Sequence, residues 1–185
     1  SGCKFIFMKS FKNYLIVLLA VAFMACTEED SSSEFTGNEV RLEMIPGTVQ
    51  GNTTSGTLLI RERTDGKAQI EITLNNVLTN ADHPVHLHVG SLDDDGDVVL
   101  LLERLVEENG VGRSITQLDA LEDNTTLNYS SFLNFNGSVK IHFEDSGLLE
   151  NEILGAVNIG INTAENQAFM DGSKSITICN SDFGQ

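Results

Sequence analysis

The sequence predicts an all-β fold, one sandwich of about eight strands, for the chain beyond its N-terminal region. Three observations predict it. Between residues 39 and 180, short runs alternate apolar and polar side chains at the two-residue period of a pleated strand. Clusters of Gly, Asn, Asp and Thr separate these runs. Helical periodicity is scarce, with only "TQLDALEDN" and "LNYSSFLNF" hinting at helical turns.

The first segment, residues 1–25, carries no Asp or Glu and three lysines, Lys4, Lys9 and Lys12. From Met8 onward a basic start, an apolar run from Tyr14 to Met24 and then Ala25-Cys26 match a secretory signal peptide, with "SGCKFIF" as upstream sequence. The run is shorter than the roughly 18 residues that cross a bilayer. Residues 26–38 follow, and "TEEDSSSEFTGN" reads as a solvated acidic tether, reaching roughly 40 Å when extended. The expected globular domain is 39–185. A chain starting at Cys26 would set 8 basic side chains against 27 acids, a formal charge of −19. Such a surface repels nucleic acid and anionic lipid and attracts cations weakly. It would also keep Cys179 as its one other cysteine, which excludes an intramolecular disulfide unless Cys26 takes part.

Strands are expected at "EVRLEMI" (39–45) and "GTLLIRER" (56–63), separated by the turn-rich "QGNTTSG". "TDGK" then reverses the chain into "AQIEITLNNV" (68–77). "VHLHV" (85–89) and "DVVLLLE" (97–103) flank "SLDDDGD". That acidic stretch sets Asp93, Asp95 and Gly96 at the third, fifth and sixth positions of a calcium loop. Ser91 and Leu102 occupy its first and twelfth positions, where carboxylates are required, so it reads as an acidic hairpin turn. A weak cation loop there would use Asp93, Asp95 and Asp97. "GSVKIHFE" (137–144), "EILGAVNIGIN" (152–162) and "KSITIC" (174–179) complete the set, with Cys179 expected as a small buried or semi-exposed thiol.

Three of the four histidines lie in "HPVHLHVG". Val85, Leu87 and Val89 take one face of that strand, so His86 and His88 share the other. In "SVKIHFED" the same alternation places His142 with Lys140 and Glu144, away from Val139, Ile141 and Phe143. All three imidazoles are therefore expected on the outer wall of the sandwich. There they either share one ion, with His83 in the preceding loop as a fourth ligand, or bond separately to backbone and water. Neutral imidazoles suit copper, zinc and nickel.

Two resemblances sharpen these expectations. "FMAC" resembles the lipobox of bacterial lipoproteins, with Phe23 in place of the usual aliphatic residue. It implies acylation of Cys26 and an outer-membrane lipoprotein on the periplasmic face or, by the acidic run that follows, the cell surface. "HPVHLHVGSLDDDGDVVLLL", "GSVKIHFEDSGLLENEILGAVNIGIN" and "MIPGTVQGNTTSGTLLIRERTDGKAQIEITLNNV" resemble the segments of the chordin-type (CHRD) domain. The likeness spans about residues 40–162, and His86, His88, Gly90, His142 and Gly155 are its sharp elements, while Asn151 stands where a glycine is expected.

That family implies a Greek-key β-sandwich or barrel related to copper,zinc superoxide dismutase, with a largely unassigned biochemical role in bacterial lipoproteins. In the dismutase an H-x-H pair and a histidine from a later strand hold copper, and "HLH" with "KIHFED" is similar to those elements. The rest of that machinery is missing. His83 is the one histidine left for a zinc site, no arginine follows Arg113, and Lys140 and Lys174 lack a guanidinium's planar fork. Two functions follow as expectations. One is a lipid-anchored binding or structural module that meets a protein, glycan or cation, with or without one copper or zinc ion. The other is a dismutase-like mononuclear copper enzyme.

Overall fold

The computed structural model describes residues 34–121 and 123–179. The expected leader, the acylation site Cys26 and the first part of the tether lie outside the described residues. The first strand, β1 (Phe35–Pro46), starts before the expected Glu39, so residues 35–38 belong to the barrel and not to the tether. Composition hid this extension because polar bonds hold it. Thr36 Oγ1 and Asn38 Nδ2 donate to the Glu62 carboxylate at 2.8 and 2.7 Å, and the Arg61 guanidinium lies 3.6 Å from the centre of the Phe35 ring.

Seven further strands follow: β2 (Ser55–Arg63), β3 (Ala68–Asn75), β4 (Asp82–Val89), β5 (Val98–Glu108), β6 (Val111–Leu118), β7 (Asn136–His142) and β8 (Ile153–Gly160). They close into an antiparallel barrel in the order β1-β2-β3-β6-β5-β4-β7-β8. The β4, β5 and β6 strands neighbour each other in sequence order, and β7 returns by a long connection to lie beside β4, which is a Greek key. Closure comes from Ile45 and Pro46 of β1 paired with Ala156 and Gly155 of β8.

The strand count matches expectation, but one member differs. No apolar alternation announces β6, because its buried positions are Gly112, Ser114, Thr116 and Leu118. Its hydroxyls work on the backbone instead: Ser114 Oγ donates to the Glu103 carbonyl at 2.5 Å and Thr116 Oγ1 accepts from the Glu103 N–H at 2.9 Å. Conversely, residues 174–179 alternate like a strand yet form none, since a closed barrel offers no free edge to pair with. "TQLDALEDN" supplies the end of β6 and an isolated bridge, with no helix among its described residues. "LNYSSFLNF" does contain a helix, α1 (Tyr129–Leu133), entered through a capping box between Asn128 and Ser131. A second short helix, α2 (Asn166–Met170), was not expected.

The barrel is filled by aliphatic side chains such as Leu58, Ile60, Ile72, Leu87, Val139 and Ile141, all at most 1% exposed. A smaller cluster sits outside the wall, where Leu92, Phe169 and Cys179 pack onto Ile45, Ile153 and Ala156. Over this part of the barrel both faces of the sheet are covered. Every residue of β8 from Ile153 to Ile159 is therefore buried, as is every residue of β7 from Gly137 to His142. That outer cover decides the environment of the histidines.

Candidate metal centre

The pairing of β4 with β7 sets Val85 opposite Ile141, His86 opposite Lys140, Leu87 opposite Val139 and His88 opposite Ser138. Val85, Leu87, Val139 and Ile141 face the barrel core, so His86, His88, Lys140 and His142 share the outer face. His142 lies diagonally across from His86, within reach for large side chains. The ring centres of His86 and His142 are 4.4 Å apart, those of His86 and His88 5.9 Å, and those of His88 and His142 6.3 Å. One nitrogen from each ring lies within 4.8 Å of the other two, an arrangement that could hold a metal ion.

Outward does not mean exposed here. His88 and His142 are 2% and 6% exposed, and only His86 is half-buried. Three segments form the roof. The β4–β5 turn brings the Gly96 carbonyl within 2.9 Å of His88 Nδ1, and the β7–β8 connection brings the Glu150 carbonyl within 3.2 Å of His142 Nδ1. The C-terminal stretch adds Cys179, whose Sγ is 3.5 Å from His88 Nε2. Sequence alternation locates the side of the wall; it carries no information about these roofs.

The carbonyl bonds fix the tautomers. A carbonyl accepts only, so Nδ1 of His88 and of His142 carries the proton, and each Nε2 presents its lone pair. Nε2 of His142 is buried with no hydrogen-bond partner in the protein. Burial also keeps the rings neutral. Desolvation first, then the neighbouring imidazoles, bring His86 down to about 3, and desolvation brings His88 down to about 4. His142 is lowered by the same loss of water. Two neutral imidazoles with carbonyl-anchored Nδ1–H groups, beside the third ring of His86, form a donor set that could hold a metal ion.

No family model matches the chain, and neither does any curated protein or solved structure. The geometry of the rings therefore carries the chemical assignment.

His83, expected as a loop residue and fourth ligand, does not join the group. It lies inside β4 on the side of Val85 and Leu87, and its Nδ1 bonds to the Phe143 carbonyl at 2.8 Å. The strand begins at Asp82, which shifts His83 from a free loop into the alternation that points it away from His86. Among the described residues, the three histidines are the one group of at least three His, Cys, Asp or Glu side chains that meets. Asp93 pairs with Lys174 at 3.0 Å, and Asp94 Oδ2 accepts from the Ser91 N–H at 2.8 Å, while the Asp97 carbonyl accepts from the Val89 N–H at 3.0 Å. Asp93, Asp95 and Asp97 lie in the connection between β4 and β5.

Several residues around the histidines make contacts that the strand alternation does not encode. Lys140 is 1% exposed, and its Nζ donates to the carbonyls of Thr177 at 3.0 Å and Asp94 at 3.4 Å, tying the C-terminal stretch to the β4–β5 turn. Burial lowers its pKa. Arg104 holds Asp145 through two bonds of 2.8 Å and donates to the Asp82 carboxylate at 2.5 Å and to its carbonyl at 2.9 Å, which steadies the start of the β7–β8 connection. At Gly96 an added Cβ would overlap the Val89 carbonyl, so a glycine there lets the chain present its own carbonyl to His88. Burial pushes the Cys179 thiol up to about 11.

Proposed function

We propose that this chain is an exported, lipid-anchored β-barrel module that holds one copper or zinc ion through His86, His88 and His142 without turning over a substrate. One observation carries the metal reading: two carbonyl-anchored imidazoles and a third converge in a dry place, with the buried Nε2 of His142 lacking any protein partner. A buried polar atom left so costs about 1–3 kcal/mol, and ligation would offset that cost. A bound zinc ion would supply a fixed positive charge, and copper one-electron chemistry besides. Export and acylation rest on "FMAC" and the preceding apolar run, and the acidic surface on the excess of 27 acids over 11 basic residues in the whole chain. An outer-membrane chordin-type lipoprotein that presents its acidic loops to a protein or glycan partner fits these features.

Elemental analysis of chain purified without chelators tests the metal reading. About one ion per chain is expected, and H86A and H142A should each abolish it. Unchanged content in both variants removes the site. Loading with metal at about 100 times its Kd should raise unfolding free energy by about 2.7 kcal/mol.

A second reading, a mononuclear copper enzyme acting on superoxide, draws on the half-buried state of His86, the one ring of the three that is not fully buried. Against it, Arg104 is engaged by two carboxylates and is not poised to guide an anion. Superoxide decay in the copper-loaded chain no faster than in the metal-free chain ends this reading.

A further inference from the structure

We infer that Cys179 is a fourth ligand at the histidine cluster, making a three-imidazole, one-thiolate site that fastens the C-terminal stretch to the barrel wall. The inference rests on the metal reading above and gives a ligand role to a cysteine that the sequence marks only as a small buried or semi-exposed thiol.

Position comes first. Cys179 is 3% exposed and packed with Ile45, Leu92, Ile153, Ala156 and Phe169. Four bonds carry the chain to that place. The Thr177 N–H donates to the Leu92 carbonyl at 2.8 Å and its Oγ1 to the Asp93 carbonyl at 2.9 Å. Lys140 Nζ donates to the Thr177 carbonyl at 3.0 Å, and the Lys174 N–H to the Ala168 carbonyl at 2.9 Å. Lys174 also bridges Asp93 and Glu165, at 3.0 and 2.8 Å.

Geometry comes second. With metal–nitrogen bonds of about 2.0–2.1 Å and a metal–sulfur bond of about 2.3 Å, a tetrahedral site separates nitrogen from sulfur by roughly 3.5 Å. Cys179 Sγ stands 3.5 Å from His88 Nε2, the nitrogen left facing the cluster by the Gly96 bond. His142 Nε2, on a side chain 6% exposed, lacks a partner, and its ring offers a nitrogen within 4.8 Å of those of His86 and His88. Cys179 Sγ is not among the atoms that lie within 4.8 Å of one another, and tetrahedral nitrogen pairs stand about 3.3 Å apart, so the rings and the Cys179 side chain must all close inward around the ion.

Chemistry comes third. On ligation the S–H bond breaks, its proton leaves to solvent, and the sulfur electron pair goes to the ion, with no electron transferred. A thiolate among imidazoles favours zinc or copper(I) over magnesium, calcium and manganese. It also fills the fourth tetrahedral position, which suits a closed structural or storage site better than a catalytic one.

Cobalt(II) titration of the full chain bearing C3S and C26S, in which Cys179 is the one thiol, tests this. The expected spectrum has the visible d–d bands of tetrahedral cobalt and a near-ultraviolet thiolate-to-cobalt charge-transfer band. C179S should keep weaker d–d bands, lose the charge-transfer band and bind zinc at least about tenfold less tightly. H142A should lose both sets of bands. Tetrahedral d–d bands without charge transfer in the parent chain overturn thiolate ligation while leaving the imidazole site standing, and that outcome needs no variant to fold. Absence of any cobalt spectrum overturns both.

Discussion

Acidification of the metal-free chain should destabilise it steeply, because the cluster buries imidazoles in their neutral form. His86 is lowered to about 3 and His88 to about 4, whereas an unfolded imidazole titrates near about 6.5. The folded values lie below the unfolded one, so as pH falls the unfolded chain takes up protons first. Stability from this source is complete above about pH 6.5 and is lost progressively towards pH 4 and below. Each histidine that is protonated only when unfolded contributes about 1.4 kcal/mol per pH unit, so two contribute about 2.7. Residual water contact at His86 reduces that to about 2 kcal/mol per pH unit. Between about pH 6 and pH 5 the loss is then a sizeable part of the 5–15 kcal/mol that ordinarily stabilises a domain. Urea unfolding of chelator-treated chain at a series of pH values measures it. In H86Q/H88Q the slope over this range should flatten to that of the remaining groups. A parent midpoint that is level or rises on going from pH 6.5 to pH 5, or a double variant with an unchanged slope, refutes the reasoning.

Three substitutions probe the supports of the cluster. G96A pushes a Cβ into the Val89 carbonyl and should displace the Gly96 carbonyl from His88; zinc titration should show affinity down by about 10- to 100-fold, with far-ultraviolet circular dichroism unchanged. K140M leaves the Thr177 and Asp94 carbonyls without their lysine donor. It should cost about 1–3 kcal/mol in urea unfolding and speed amide exchange in residues 174–179 ahead of the barrel strands. L87A removes a fully buried side chain between the two β4 histidines and should cost about 2–5 kcal/mol, read from the same unfolding curves.

The legible parts of the fold are those in which one face meets hydrocarbon and the other water. The strands β2, β3, β4 and β7 carry their inward residues, such as Leu58, Ile60, Ile70, Ile72, Val85, Leu87, Val139 and Ile141, at a two-residue period, and the same period assigns His86, His88 and His142 to one outer face. The β6 strand was illegible because it packs small and hydroxylic residues inward and leaves Ile115 exposed. The 174–179 stretch misled for the opposite reason, since its alternation serves packing on an outer wall where no strand edge is free.

For the site, sequence gave direction without depth. The parity of β4 and β7 places three rings together, but their burial comes from Gly96, Glu150 and Cys179, which reach the rings through loops whose paths no periodicity encodes. His83 shows the sensitivity of that reading to a strand boundary: starting β4 at Asp82 turns a supposed loop ligand into a side chain bonded to Phe143 on the other side.

X-ray absorption at the metal edge of zinc-loaded chain addresses the convergence of the three imidazoles most directly. A first shell with three imidazole nitrogens at about 2.0–2.1 Å, accompanied by the outer-shell scattering of their rings, is the predicted result. A shell of oxygen atoms lacking imidazole scattering would contradict it.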